Sequence, residues 1–367
     1  MATSRRTFLR DTAIAGTVLN IFGVPNGVGA QDARGSTMPT PRARALMARF
    51  GLGYPIFQAP HGPAVTGPDL AAAVSNAGAM GALALTRSAP EVARASVANV
   101  RGLTKRPFIV NYLLAFDPLS LPAALDAGAP VVQFSWGLPT REMMSAARSA
   151  GAKVGVQIGN AEGARAALDL GADYLVCQGT EAGGHVQSST PLYDLLPKVL
   201  DEAKDTPVLA AGGIGNGHKI RKALLAGASG AVLGTRFVAT QESLAHPEFK
   251  SAILKAHARD TAMSVCFQDG WPGAMHRALR NGTLVRWEAA GCPPVGRRPG
   301  EGDVLATRPD GRKVLRYNAS SPGRDFKGAI TELALYVGES VDDVKDLPGA
   351  RDLVSRLWAE CLDTTRS

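Results

Sequence analysis

The chain has 367 residues, a formal net charge of +8 and four cysteines, a length that suits one large α/β barrel with additions or two domains. The positive excess is spread out, with no basic block or aromatic-basic interleaving, which argues against nucleic-acid binding, and Cys177, Cys266, Cys292 and Cys361 lack metal-ligand spacing. With 41 glycines and only 6% aromatic residues, the composition suits helices packed on a parallel sheet better than an all-β sandwich.

The N-terminus reads as a targeting segment. SRRTFLR at Ser4 to Arg10 precedes a mildly apolar run, Thr12 to Val28, that ends in the small residues Val28, Gly29 and Ala30. Paired arginines followed by Phe-Leu resemble a twin-arginine export signal. Cleavage after Ala30 removes Arg5, Arg6, Arg10 and Asp11 and leaves a net charge of +6. Export of an already folded chain by the twin-arginine translocation machinery, to the periplasm or beyond, suits a protein that takes up its cofactor in the cytoplasm. No later stretch has the ~18 apolar residues of a membrane span, so the mature form is expected off the membrane, as a monomer or homodimer. A Cys266–Cys292 bridge is open to an oxidising compartment, but spacing does not establish it, and no disulfide is expected.

Residues 31–45, rich in Gly, Ser, Thr, Pro and Arg, read as a flexible lead-in. Short apolar runs then recur, several announced by one signal: DAGAPVVQF, SAGAKVGVQI, DLGADYLVCQ and LAGASGAVLG. Each reads as a helix ending at a glycine, a tight turn and a buried strand. The runs are Ile56–Ala59, Met80–Leu85, Phe108–Leu113, Val131–Ser135, Val154–Ile158, Tyr174–Gln178, Val208–Ala211 and Ala231–Gly234, with helical periodicity at Pro90 to Leu103, Arg141 to Ala150 and Ala161 to Leu170. Eight strands alternating with helices predict an α/β fold of the (β/α)8 TIM-barrel type over 46–245. An open doubly wound sheet is the competitor, but it lacks here a glycine-rich phosphate loop after the first strand. Beyond the barrel, 246–328 reads as a lid or insert: a helix from Pro247 to Arg259 and an irregular stretch from Met263 to Asp325. In the last segment, 329–367, an amphipathic helix from Gly349 to Cys361 is expected to pack back on the barrel.

Barrel sites form at the C-terminal strand ends. That rule points to Gln58, Ala59, Pro60 and His61 after the first strand, Asn111 in the third, Gln133 and Ser135 in the fourth, and Gln157 in the fifth. CQGTEAGGH leaves the sixth, with Gln178, Gly183, Gly184 and His185. Amides inside a buried sheet require partners, and four converging at one mouth suit a heteroaromatic edge offering donors and acceptors. The seventh strand runs into AAGGIGNG and a helix, the eighth into LGTRF. Here Ala211, Gly212, Gly213 and Gly234 permit close approach of an anion to backbone N–H groups and a helix N-terminus, and the Thr235 hydroxyl adds a donor. A phosphate at one end and amides along the rest describe a flat phosphorylated ligand, a shape that flavin mononucleotide fits. His185 then reaches the reacting centre, to hold an anionic substrate or exchange a proton. The bland alternative is a loop histidine bonded to backbone.

YPIFQAP with AAAVSNAGAMGAL, QGTEAGGH, AAGGIGNG and LGTRF, taken together, resemble the nitronate monooxygenases, formerly 2-nitropropane dioxygenases. RALRN and YVGESV with LPGARDLVSRL extend the likeness more faintly to the C-terminus. The resemblance implies an FMN-dependent barrel enzyme in which O2 oxidises alkyl nitronates to carbonyl compounds and nitrite. It makes His185 the active-site histidine, Gln178, Gly183 and Gly184 the flavin loop, and Gly213, Gly234 and Thr235 the phosphate contacts. No metal site is implied. Two positions depart from the family pattern: His61, where a small or sulfur-containing residue is common, and Val186-Gln187, where glycine is frequent. Both put the substrate in doubt rather than the cofactor.

Three other readings stay open. An FMN-dependent enoyl-thioester reductase shares the barrel and the glycine-histidine loop, but needs NAD(P)H and a cytoplasmic carrier substrate. An inosinate-dehydrogenase-like barrel needs a loop cysteine nucleophile, whereas Cys177 falls within a strand. An exported binding protein without catalysis predicts a redox-silent chain.

Overall fold

Strand and helix alternate around a closed sheet in the computed structural model, which describes residues 38–364. The export signal expected at 1–30 lies outside the described residues. The barrel strands are β1 (Ile56–Gln58), β2 (Gly81–Ala84), β3 (Phe108–Leu113), β4 (Val131–Ser135), β5 (Lys153–Ile158), β6 (Tyr174–Gln178), β7 (Val208–Ala211) and β8 (Gly230–Leu233). Each pairs in parallel with its sequence neighbour from β2 round to β8, and β8 pairs with β1. Only the β1–β2 seam lacks a full ladder. It is joined by a bridge between Phe57 and Met80 and by Gln58, whose side chain accepts from Ala82 N at 2.9 Å and donates to Ala82 O at 3.2 Å. Gln58 therefore closes the barrel with its amide rather than facing a ligand. The result is a (β/α)8 barrel.

The repeated signal has one physical cause. Gly128, Gly151, Gly171 and Gly227 follow their helices with φ of 84°, 74°, 81° and 100°, left-handed values that an L side chain resists. The alanine after each returns a hydrogen bond into its helix, as Ala129 N does to Ala124 O at 3.1 Å and Ala152 N to Ala147 O at 2.9 Å. This cap stops the helix and aims the chain at the next strand.

The barrel interior is filled by Phe57, Met80, Ile109, Val131, Tyr174, Val176 and Leu209, joined by Leu46, Phe50 and Leu52 from below. Leu46 and Phe50 belong to a helix over Pro41–Phe50, which starts inside the expected flexible lead-in. Thr40 caps it, accepting from Ala43 N, and proline occupies its first turn, so Thr-Pro there marks a helix start rather than a loop. Burying Leu46 and Phe50 contributes about 1.5–3 kcal/mol each.

After β8 the chain builds a cap over the mouth. Its first helix, Pro247–Lys255, ends short of the expected Arg259, and a 3-10 turn, Ala258–Asp260, follows. The stretch expected to be irregular holds regular structure: Thr261–Ser264 pairs with His276–Leu279, which pairs with Gly184–His185, and Val304–Thr307 pairs with Lys313–Leu315 and Lys327–Gly328. These strands are too short and polar to show a period in sequence. The last helix, Ala350–Leu362, packs on helices Gly217–Leu225 and Pro68–Asn76. No described helix is long and apolar enough to cross a membrane.

Candidate active site

A cavity of about 690 Å³ opens at the C-terminal ends of the strands, under the cap. Of the expected residues all but Gln58 line it: Ala59, Pro60 and His61 after β1; Asn111, Gln133, Ser135 and Gln157 from β3 to β5; Gln178, Gly183, Gly184 and His185 at β6; Ala211, Gly212 and Gly213 at β7; Gly234 and Thr235 after β8.

The four amides have different tasks. Tyr174 OH donates to Gln133 Oε1 at 3.1 Å, and Gln133 Nε2 donates to Asn111 Oδ1 at 3.1 Å. Ser135 Oγ also donates to Asn111 Oδ1, at 3.0 Å. With its oxygen held by two donors, Asn111 is left with its NH2 group for a ligand. Room for the Tyr174 ring that starts this chain comes from Gly155 in β5, where a Cβ would lie 2.0 Å from Tyr174 Cζ. Gln157 Nε2 donates to Gln187 Oε1 at 2.8 Å. Gln178 is committed to the loop that follows it: Nε2 donates to His185 O at 3.2 Å, and Oε1 accepts from Gln187 N at 2.9 Å.

That loop is held from every side. Gly184–His185 pairs with His276–Arg277 of the cap. Arg277 donates to Thr180 O at 2.9 Å, and Glu339 N donates to Glu181 O at 3.0 Å. A Cβ at Gly183 would sit 2.3 Å from backbone atoms of Val337 and Gly338. Here glycine is required for the close approach of two chain segments.

The His185 ring lies under Trp271, with centroids 4.1 Å apart and planes within 25°, and beside Tyr336 at 5.1 Å. Burial pushes its pKa down to about 3, helped by repulsion from His276 and His61. His61 is likewise held down to about 4 by burial. Both imidazoles are therefore neutral near pH 7, so His185 offers a polar N–H or a lone pair rather than a fixed positive charge. The Nε2 atoms of His61 and His185 are buried without a hydrogen-bond partner in the protein.

At the other end, Gly212 and Gly213 have φ of 128° and 68° and line the cavity with Gly234, Thr235 and Ser340. Thr235 Oγ1 accepts from Gly338 N at 2.9 Å, which leaves its hydroxyl proton for another acceptor. One part of the sequence expectation changes. The helix after β7, Gly217–Leu225, does not offer its N-terminus here: Gly217 N donates to Glu360 at 2.8 Å and Lys219 N to Asn216 at 2.9 Å. Gly215 and Asn216 line a separate cleft, with Asp343 and Glu360. The positions still free to receive an anion are the first half of AAGGIGNG and the turn at Gly234-Thr235.

These residues fit a phosphorylated flavin. The Gly212-Gly213 and Gly234-Thr235 turns, the Asn111 amide and His185, whose Nε2 is buried without a partner, line one cavity.

Sequence reasoning missed the wall opposite. Phe116, Trp136, Trp271 and Tyr336 line the cavity with Arg87, Arg308 and Arg312. Trp136 and Trp271 meet at 4.8 Å, and Phe116 and Trp271 at 5.2 Å. Trp136 follows β4 with φ of 56°, an uncommon value for a bulky residue. Trp271, Arg308 and Tyr336 come from the cap, which has no strand-end rule to place them. Ser340 lies in YVGESV, whose likeness to the family is faint.

Known proteins agree with this construction. A profile described as nitronate monooxygenase matches residues 44–124 and 119–360. A nitronate monooxygenase of Pseudomonas aeruginosa is 34% identical over 359 residues, covering 84% of this chain and 97% of that protein. Among solved structures, a nitroalkane oxidase from Streptomyces ansochromogenes superposes with a TM-score of 0.70 at 33% identity, covering 86% of this chain and 97% of that one. A FabK mutant from Thermotoga maritima superposes at 0.68 with 26% identity, covering 86% and 95%. The chain belongs to the nitronate monooxygenase family and is a flavin oxidoreductase.

Proposed function

We propose that the enzyme oxidises alkyl nitronates with O2 to carbonyl compounds and nitrite, with FMN as its cofactor. The observation that carries this reading is the unpartnered His185 Nε2, buried in the same cavity as the Asn111 amide and the Gly213, Gly234 and Thr235 turns. When bound, FMN supplies electron transfer between an organic anion and O2. Asn111 holds its ring edge through Nδ2, and Gly213, Gly234, Thr235 and Ser340 its phosphate. A neutral His185 donates N–H to a nitronate oxygen. An anion beside it in a poorly hydrated cavity raises its affinity for a proton, which strengthens that hydrogen bond as the complex forms. For a neutral nitroalkane, the same imidazole instead accepts the proton from the carbon bearing the nitro group. Trp136 and Trp271 shield the region from water.

The test is a flavin spectrum of the purified protein, identification of the released flavin, and then oxygen uptake and nitrite release with ethyl nitronate. A flavoprotein that consumes no oxygen and forms no nitrite with nitronates removes this function while leaving the fold and family. Rapid reduction by NADH, with no response to nitronate, favours the enoyl-thioester reductase reading instead. We further propose that residues 1–30 direct export through the twin-arginine machinery; a mature protein retained in the cytoplasm with its N-terminus intact argues against that.

A further inference from the structure

The cavity holds two histidines with unused nitrogens, and only one of them has been given a task. His61 forms no hydrogen bond through its ring, and its Nε2 is buried without a partner. A buried imidazole left in that state costs stability. The contrast with His276, a few ångströms away from His185, is informative: His276 Nδ1 donates to Ala274 O at 3.0 Å, and its Nε2 accepts from Phe267 N at 3.2 Å. Where this protein uses a histidine as a structural strut, both nitrogens are engaged.

Nor does the local turn need the His61 side chain. The turn after β1 is closed at Gly62, whose carbonyl accepts from Val65 N at 3.1 Å, from Thr66 N at 2.9 Å and from Thr66 Oγ1 at 3.0 Å. Gly62 itself has φ of 70°. The backbone alone accounts for the turn, and the imidazole is left over, in the cavity and within electrostatic reach of His185.

We propose that His61 is a second substrate-binding residue, whose imidazole and that of His185 together hold the two oxygens of a planar anionic group. A nitronate has that shape, as do nitrite and a carboxylate. Each neutral ring donates one N–H, so the pair recognises two acceptors without a fixed positive charge. The assignment to nitronate rests on the function proposed above, but recognition of a two-oxygen anion can be tested without turnover.

The experiment uses the flavin-loaded wild type, His61→Ala and His61→Gln. Nitrite and benzoate are titrated in, with flavin absorbance and thermal shift as readouts, and KM and kcat are measured with ethyl nitronate. The proposal expects His61→Ala to retain flavin, to bind nitrite and nitronate about ten-fold or more weakly, and to change KM more than kcat. His61→Gln, which keeps an N–H donor, recovers part of the loss and serves as the reading if the alanine variant does not fold. Unchanged anion affinity in both variants overturns the proposal. So does loss of flavin from both with normal anion affinity once flavin is restored, since His61 then serves the cofactor. If the wild type binds nitrite but does not oxidise nitronate, the proposed function fails while His61 is still judged by binding. If it binds neither anion, both readings fall.

Discussion

His185 and His276 face each other as a direct pair on adjacent antiparallel strands, with ring centroids 5.5 Å apart. One has both ring nitrogens hydrogen-bonded and the other has neither. His276 is fixed in one neutral tautomer, because its Nε2 must accept from Phe267 N–H and cannot also carry a proton. Near pH 7 this neighbour is neutral, so it adds no positive charge beside His185 there; its repulsion of a protonated His185 belongs to the acid range.

That arrangement makes stability pH-dependent. Burial lowers the His276 pKa from 6.5 to about 4, so the unfolded chain binds a proton that the folded chain refuses. The stabilisation is complete above pH 6.5 and is lost as the pH falls from about 6.5 towards 4, amounting to on the order of 3 kcal/mol for a fully buried group. His276→Leu should be less stable than wild type at pH 7.5 by about 1–3 kcal/mol, because Phe267 N and Ala274 O lose their partner. The gap should narrow by pH 4.5. Chemical denaturation at both pH values measures it, and a gap constant with pH contradicts the assignment.

His185→Asn should reduce nitronate turnover about 100-fold or more while leaving the flavin bound, since the loop is pinned through the His185 carbonyl and not its ring. Turnover with ethyl nitronate and the visible spectrum decide it together. Loss of flavin instead makes His185 part of the cofactor site.

Gly155→Ala reaches the site from the barrel interior. The added methyl falls on the Tyr174 ring, and overpacking of this kind costs about 1–3 kcal/mol. Moving Tyr174 releases Gln133, which frees Asn111 to turn its amide. Weaker flavin binding with no altered cavity residue is the expected result, read by flavin titration of the apoprotein. Tyr174→Phe, which removes only the hydroxyl, should show a smaller effect in the same direction.

Thr235→Ser keeps the hydroxyl that accepts from Gly338 N, and should bind flavin nearly as wild type. Thr235→Val loses it and leaves a buried N–H unpaired, so flavin affinity should fall about 10- to 100-fold. Equal affinity in the two variants removes Thr235 from the phosphate end.

The barrel was legible because its signals are local. A glycine with positive φ at most of the helix ends, and a short apolar run at every strand, placed the strands within a residue or two of where they lie. Position at strand ends then gathered Asn111, Gln157, His185, Gly213 and Thr235 into one cavity. What sequence did not show depends on contacts between distant segments. Nothing around Gln178 says that its amide is spent on the loop, and nothing around Asn216 says that Glu360 occupies the helix behind it. Trp271 becomes part of the site only because Ser264 and His276 pair across it. Thr40-Pro41 could have been read as a helix start, but the arginines and prolines nearby suggested a loop.

Tyr336, Val337, Gly338 and Ser340 come from the far end of the chain, yet they back the His185 loop, hold Thr235 and line the cavity. On the cofactor site proposed above, a nascent chain still short of residue 340 has all eight barrel strands and no finished place for a phosphate. On that reading cofactor capture is a late event in maturation, and a bound flavin reports that the tail has docked.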